Sequence, residues 1–407
     1  MKSIIALAVC FSSFLVSPAI TSAFDGDWEI ANPDYQKDNF VDIKSYQPNK
    51  TQERTWAQIL NGFRLVEGSL NLDISYLAME TRIRRSLSKR TSIYYHSKQE
   101  QFYSIKPLRQ LLGIQFHLGD QYYVSAIGFP AYDKRKGDLG VAFSIGQTPG
   151  SYLEFSHLKQ DLFYNKKNFE EDVYLSEPVE DRIKGSFQSK NLNIQFEWLL
   201  DRVAKRFSPN EFLTLRNKGD DFSAVTEFQF SQTKLMGMRF RSFSFNKERL
   251  RSISPGSDEN ENQNIQFLSS ELYWIETFSI YTVTAGTQYD RFQNRYRNQL
   301  DNPALPLKSF NYRFETWQFF SMVQHPWNPN LSWEYGLYAG NAVELKNHIS
   351  KLETDKFGKK LESKLRLSWE WHSTDKKSFL LLISTWNIDD FLNNFWDGGG
   401  VSFQMSF

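Results

Sequence analysis

Over most of its length this chain is written in period two. Leu70, Leu72, Ile74 and Tyr76 share one parity against Asn71, Asp73 and Ser75. Leu112, Ile114, Phe116 and Leu118 stand against Gln115 and His117, and Leu139, Val141, Phe143 and Ile145 against Gly140, Ala142 and Ser144. Ile194, Phe196 and Trp198 oppose Asn193, Gln195 and Glu197, while Phe310, Tyr312 and Phe314 oppose Asn311, Arg313 and Glu315. Leu365, Leu367, Trp369 and Trp371 oppose Lys364, Arg366, Ser368, Glu370 and His372. Successive side chains of a strand point to opposite faces, so each stretch has one apolar and one polar face. No amphipathic helix of comparable strength interrupts them, which makes the chain all-β.

The links between these stretches carry a second regularity. Short ones fall near Arg85 to Lys89, Gly119-Asp120, Thr148-Pro149-Gly150, Ser189-Lys190, Gln232-Thr233, Phe278-Ser279, Gln324 to Asn330 and Thr374 to Lys377. Longer ones interleave with them, near Tyr103 to Pro107, Tyr132 to Asp138, Phe163 to Asp181, Leu200 to Asp221, Lys247 to Gln263, Phe292 to Lys308, Val343 to Leu361 and Asn387 to Asp397. A soluble sandwich has no reason to sort its loops by parity. A transmembrane barrel does, because turns on one side of the membrane are tight and loops on the other are free to grow.

The two ends point the same way. Val401, Phe403, Met405 and Phe407 form an apolar parity against Ser402, Gln404 and Ser406. This aromatic-terminated strand resembles the C-terminal signal by which the assembly machinery recognises outer-membrane barrels. At the other end, Met1-Lys2 precedes an apolar run from Ile4 to Ile20 and then Thr21-Ser22-Ala23, the layout of a secretory signal spanning residues 1–23. Cys10 is the only cysteine. Val9 is too large for a lipobox, so Cys10 is read as part of the signal, and the mature chain loses disulfides, thiolate metal sites and a cysteine nucleophile together.

After the signal no stretch is long and apolar enough for a transmembrane helix. Mean hydropathy is −0.53, yet 16% of residues are aromatic, with 35 Phe, 19 Tyr and 11 Trp. Polar on average and rich in rings is what a barrel needs, with half of each strand in a wet lumen and rings at both membrane interfaces. The 48 basic and 47 acidic residues nearly cancel, which argues against a nucleic-acid binder and does not point to a strongly ion-selective pore. Residues 24–55 are polar and turn-rich, a periplasmic segment too short for a plug domain. Its acids Asp25, Asp27, Glu29 and Asp34 lack the spacing of a calcium loop.

In size, ends and loop alternation the chain resembles Gram-negative outer-membrane β-barrels, porin-like or polysaccharide-export-like, although no family motif is matched. The resemblance implies an antiparallel up-and-down transmembrane barrel of about eighteen strands, with sixteen the alternative. It would start at Trp56 to Val66 and fill residues 56–407. It also implies a bacterial outer-membrane location, with outer-membrane lipid, lipopolysaccharide, the barrel assembly machinery and a hydrophilic solute as partners.

Polar-parity positions then become the expected lumen lining: Gln115, His117, Glu197, Glu227, Arg239, Arg241, Arg313, Glu315, Arg366, Glu370 and His372. Charges there must pair across the lumen or face water, since an unpaired charge in a dry interior costs several kcal/mol. Arg239 with Arg241, and Lys364 with Arg366, form same-face basic pairs that would guide an anion; Glu197, Glu227, Glu315 and Glu370 would neutralise them. No enzyme is expected. In the pairs His96-Ser97, Ser156-His157 and His372-Ser373 the neighbours face opposite sides of a strand, so none forms a nucleophile–base contact. No cofactor or metal site is expected either. The leading expectation is a passive channel for a hydrophilic solute such as a saccharide or exported polysaccharide. The alternative is a closed barrel serving as a scaffold or binding surface partners through its loops.

Overall fold

The computed structural model describes residues 61–406, except the connecting segments 71–73, 102–107, 120, 129–137, 147–149, 160–172, 177–178, 202, 210–212, 255–256, 301–307, 329–330, 349–350, 354–358, 374–377 and 389–395. The expected signal, Cys10, the acidic set after it, Trp56 and Phe407 lie outside the described residues.

The described residues form strands and the turns that join them. The strands are β1 (Gly62–Leu70), β2 (Ile74–Ser86), β3 (Thr91–Gln101), β4 (Leu108–His117), β5 (Tyr122–Gly128), β6 (Leu139–Gly146), β7 (Tyr152–Lys159), β8 (Val173–Ser176), β9 (Val179–Gln188), β10 (Leu192–Asp201) and β11 (Ala204–Ser208). They continue with β12 (Leu213–Gln229), β13 (Lys234–Ser254), β14 (Ser257–Thr277), β15 (Thr282–Leu300), β16 (Lys308–Asn328), β17 (Leu331–His348), β18 (Lys351–Glu353), β19 (Lys359–His372), β20 (Ser378–Asn387) and β21 (Trp396–Ser406). Neighbours pair antiparallel, and β1 pairs with β21 from Gly62↔Ser406 to Ser69↔Gly399, which closes the sheet. Eighteen strands make the ring. The three short strands stand outside it: β8 pairs with β11, β11 with β12, and β18 with β17. Closure removes the edges of that ring, the condition for backbone to survive in hydrocarbon.

The faces are inverted relative to a soluble protein. On β6, Val141 (58% exposed) and Phe143 (42%) point outward, whereas Ala142 (2%) and Ser144 (5%) point inward. Phe116, Phe155, Trp198, Met238, Leu272, Phe319, Trp369 and Val401 continue the exposed apolar belt around the ring. Gln115, Ser156, Glu227, Gln288, Gln318, Ser368 and Ser402 are buried on the inner side. An apolar belt of this extent needs an apolar medium, and a bilayer supplies one. The inside is not uniformly polar. Ile127, Ala142 and Leu158 cluster there with Tyr94 and Leu111, and Leu235, Tyr273 and Phe320 with Tyr338.

The ring is uneven in height. Strands β5, β6 and β7 have 7, 8 and 8 residues, whereas β13, β14 and β16 have 21 each. A tilted strand crosses a bilayer in about ten residues, so β12 to β17 continue far past it. This corrects the expected loops at Lys247 to Gln263, Phe292 to Lys308 and Val343 to Leu361. Strand pairing runs on to Ser254↔Ser257, to Asn298↔Lys308 and to Phe310↔His348. Above the membrane both faces are hydrated, so the apolar parity fades while the hydrogen-bond ladder persists. The first strand also shifts, from the expected Trp56–Val66 to Gly62–Leu70, and the alternation from Leu70 to Tyr76 spans the junction of β1 and β2. That first link on the long-loop side is short, an exception to the sorting of loops.

Candidate functional site

The lumen is built from two walls with different chemistry. On the short wall a cavity of about 1200 Å³ spans from Asn61 and β2 round to β12. It reaches the turns of the end where Gly62 and Ser406 pair, since Lys89, Arg90 and Gly119 line it. Its charged groups come from strands whose apolar parity is weak. On β2, Arg82 and Arg84 alternate with Ile83; on β9, Arg182 and Lys184 alternate with Ile183. Arg82 meets Glu80 at 2.6 Å, and His96 Nε2 lies 2.9 Å from the same carboxylate. Arg182 meets Glu197 at 2.6 Å and Lys184 meets Glu154 at 2.9 Å. Arg84 instead donates to the Gln115 side-chain oxygen. The His117 ring stands edge-on to Tyr123, with centroids 4.7 Å apart. Tyr94 lies across Gly113, where an added Cβ would sit 2.4 Å from its Cζ, so glycine there gives the ring its place.

The tall wall carries a second polar network. Tyr273 donates from its hydroxyl to Glu227 at 2.8 Å, and Asn193 Nδ2 donates to the same carboxylate at 3.2 Å. The Arg239 guanidinium sits 5.6 Å from the centre of the Tyr273 ring, a cation–π contact. Arg241 pairs with Asp221 at 3.4 Å, and Arg249 with Glu261 at 3.6 Å. Amides also link strand to strand: Gln318 Nε2 donates to Gln288 at 3.0 Å and Gln263 Nε2 to Asn294 at 3.3 Å. Tyr273 occupies the space that Gly237 leaves, where a Cβ would fall 2.1 Å from its Cζ.

The expected lining residues divide cleanly. Gln115, His117, Glu197, Glu227, Arg239 and Arg241 all lie on the inner face, as register and burial show. Arg366, Glu370 and His372 hold register positions of the same parity as buried Ser368, opposite exposed Trp369 and Trp371; their side chains lie outside the described residues. Arg313 and Glu315 are a correction. They share parity with exposed Trp317 and Phe319, so they stand on the outer face, paired with each other and with Tyr289, whose hydroxyl donates to Glu315 at 2.5 Å. This part of β16 rises above the apolar belt, where the outer side is wet as well; Phe310, Tyr312 and Phe314 hold register positions of the same parity as buried Thr316, Gln318 and Phe320, and their side chains lie outside the described residues. At the C-terminal strand, Val401, Phe403 and Met405 take the outer parity against buried Ser402 and Gln404.

Reading polar parity from the clearest strands missed Arg82, Arg84, Glu154, Arg182 and Lys184. The clue was present in the two short runs where a basic residue recurs at every second position around an isoleucine.

No family model matches the chain, and no curated protein matches it. Among solved structures it is similar to OccK10 (OpdN) of Pseudomonas aeruginosa, with 14% identity and a TM-score of 0.37 over 85% of this chain and 97% of that one. It is similar to the translocator domain of the autotransporter NalP of Neisseria meningitidis, with 11% identity and a TM-score of 0.31 over 72% and 90%. It is also similar to the siderophore receptor PirA of Acinetobacter baumannii, with 7% identity and a TM-score of 0.32 over 85% and 80%. Likeness at this level carries no residue role or activity to this chain. The closed, even-numbered antiparallel ring, apolar outside and polar within, is itself the architecture of an outer-membrane β-barrel.

Proposed function

We propose that the chain is an outer-membrane channel for passive passage of a hydrophilic solute, with a saccharide, imported or exported, as its passenger. One observation carries the reading: the inner face of the ring holds charges and amides while the outer face of the belt is apolar. A ring of this strand number is wide enough for water and hydrated solutes. The ladder of Gln263, Gln288, Asn294 and Gln318 offers paired donors and acceptors of the kind that suit sugar hydroxyls. No catalytic step belongs to the proposal. His96 and His157 contact Glu80 and Asp181, and the serine beside each lies on the opposite parity.

The experiment is conductance of the purified full chain in planar bilayers, together with swelling of proteoliposomes in neutral sugars of graded size. Stepwise current and swelling that falls off with sugar size are expected; silence in both overturns the channel. A second reading, a closed scaffold, draws support from the interlocked pairs Arg182–Glu197 and Lys184–Glu154. Charge reversal of Arg239 with Arg241 separates the two, because a pore changes its ion selectivity and a scaffold loses stability alone.

A further inference from the structure

The short-wall cavity is not electrically balanced, although the chain as a whole is. Arg82, Arg182 and Lys184 each face a carboxylate. Arg84, Lys89 and Arg90 line the same cavity and face none among the described residues. Polar atoms able to donate are left over as well. Arg182 Nε, His117 Nε2, Ser144 Oγ and Ser186 Oγ are buried without a hydrogen-bond partner among the described residues, and each can donate. Arg182 itself is only 9% exposed. A cavity with spare positive charge and spare donors on one wall is complementary to an oxyanion, and low-dielectric walls strengthen that field.

From this we infer that the cavity is an anion-binding station, and that the passenger bears a carboxylate or phosphate group, as an acidic sugar does. The inference rests on the channel reading for the word passenger but not for the site itself. Arg84 is the central group, because it stands inside the ring and is held by the neutral Gln115 amide. Lys89 and Arg90, on the turn between β2 and β3, place positive charge at the mouth, where they draw anions in from solution.

The test uses the full chain in two settings. In planar bilayers under a potassium chloride gradient, the reversal potential reports whether chloride or potassium passes preferentially. In detergent solution, calorimetric titration with inorganic phosphate reports binding without any need for conduction. The wild type is expected to prefer chloride and to bind phosphate. The double variant R84Q/R90Q is expected to move the reversal potential toward zero and to weaken phosphate binding by about tenfold or more, because two guanidinium groups are lost. Lys205→Gln, far from the cavity on β11, is expected to change neither. Retained heat-modifiable migration on gels shows that each variant is folded. Current with no anion preference, together with no phosphate binding, overturns the anion site and leaves the channel standing. Phosphate binding that R84Q/R90Q weakens, in a protein that never conducts, overturns the channel and leaves the site standing. Wild-type behaviour in R84Q/R90Q overturns the assignment of Arg84 and Arg90.

Discussion

The arc from β2 to β10 and the arc from β12 to β17 are parts of one ring, yet they solve different problems. The first is little taller than a bilayer, and its outer face is apolar along nearly its whole length, from Leu112 and Phe116 through Val141 and Phe155 to Trp198. The second is about twice that height, and only its lower part carries the belt. Above Trp317 and Leu272 its outer face turns to Arg313, Glu315, Asn262 and Asn264. Inside, the short arc concentrates unmatched positive charge, whereas the tall arc pairs Arg241, Arg249 and Tyr273 with acids. Membrane depth therefore sets what a residue's parity means. Alternation reads apolar-out within the bilayer, whereas above it polar residues such as Lys247 and Gln263 stand on the inner face and Asn262 and Asn264 on the outer one.

The largest test of that contrast places one charge at two heights. Phe143→Arg puts a guanidinium in the belt of the short arc and is expected to cost about 2–4 kcal/mol of stability. Asn262→Arg, exposed on the outer face of β14 above the belt, is expected to cost almost nothing. Reversible urea unfolding in lipid vesicles measures both, and equal costs would remove the distinction between the arcs. Next in size is Arg182→Met in the short-arc lumen. It leaves Glu197 without its partner at 2.6 Å, and a hydrogen bond to a charged group is worth about 1.5–3 kcal/mol, with the lower end expected in a lumen reached by water. The double variant with Glu197→Gln should recover part of the loss in the same assay.

These two arcs also differ in how far the sequence could be read. The ring, its strand count and the outward set on β4, β6, β10 and β21 were legible because lipid imposes a strict apolar parity there. Gln115, His117, Glu197, Arg239 and Arg241 followed from the same rule. Arg313 and Glu315 did not, because the aromatic parity of Phe310, Tyr312 and Phe314 reads as the lipid-facing one in the sequence, whereas on β16 it is the parity of buried Thr316, Gln318 and Phe320. The tall hairpin of β13 and β14 read as a loop for a related reason: Lys247, Glu248, Arg249 and Arg251 on one strand and Glu259, Glu261 and Asn262 on the other keep the ladder without an apolar face. The cavity on the short arc was hidden by numbers. A net charge near zero over the whole chain says nothing of how Arg84, Lys89 and Arg90 are gathered in space.

Two smaller effects belong to the tall arc. Tyr273→Phe removes the donor to Glu227 and leaves a carboxylate that is 3% exposed with Asn193 still attached. A loss of about 1–2 kcal/mol is expected, read from the same unfolding curves, and the Arg239 cation–π contact should survive because the ring remains. Smallest is the pair of Arg216 with Glu248 at 3.2 Å, half exposed on the outer face near the top of β12 and β13. Exposed pairs contribute about 0.2–1 kcal/mol and are screened by salt. Arg216→Ala is therefore expected to shift stability by less than about 1 kcal/mol at low salt, and the difference should vanish when salt is raised. A larger, salt-insensitive cost would mean that the upper part of the tall arc is packed against something that excludes water, and the wet, freestanding palisade inferred from its parity would have to be given up.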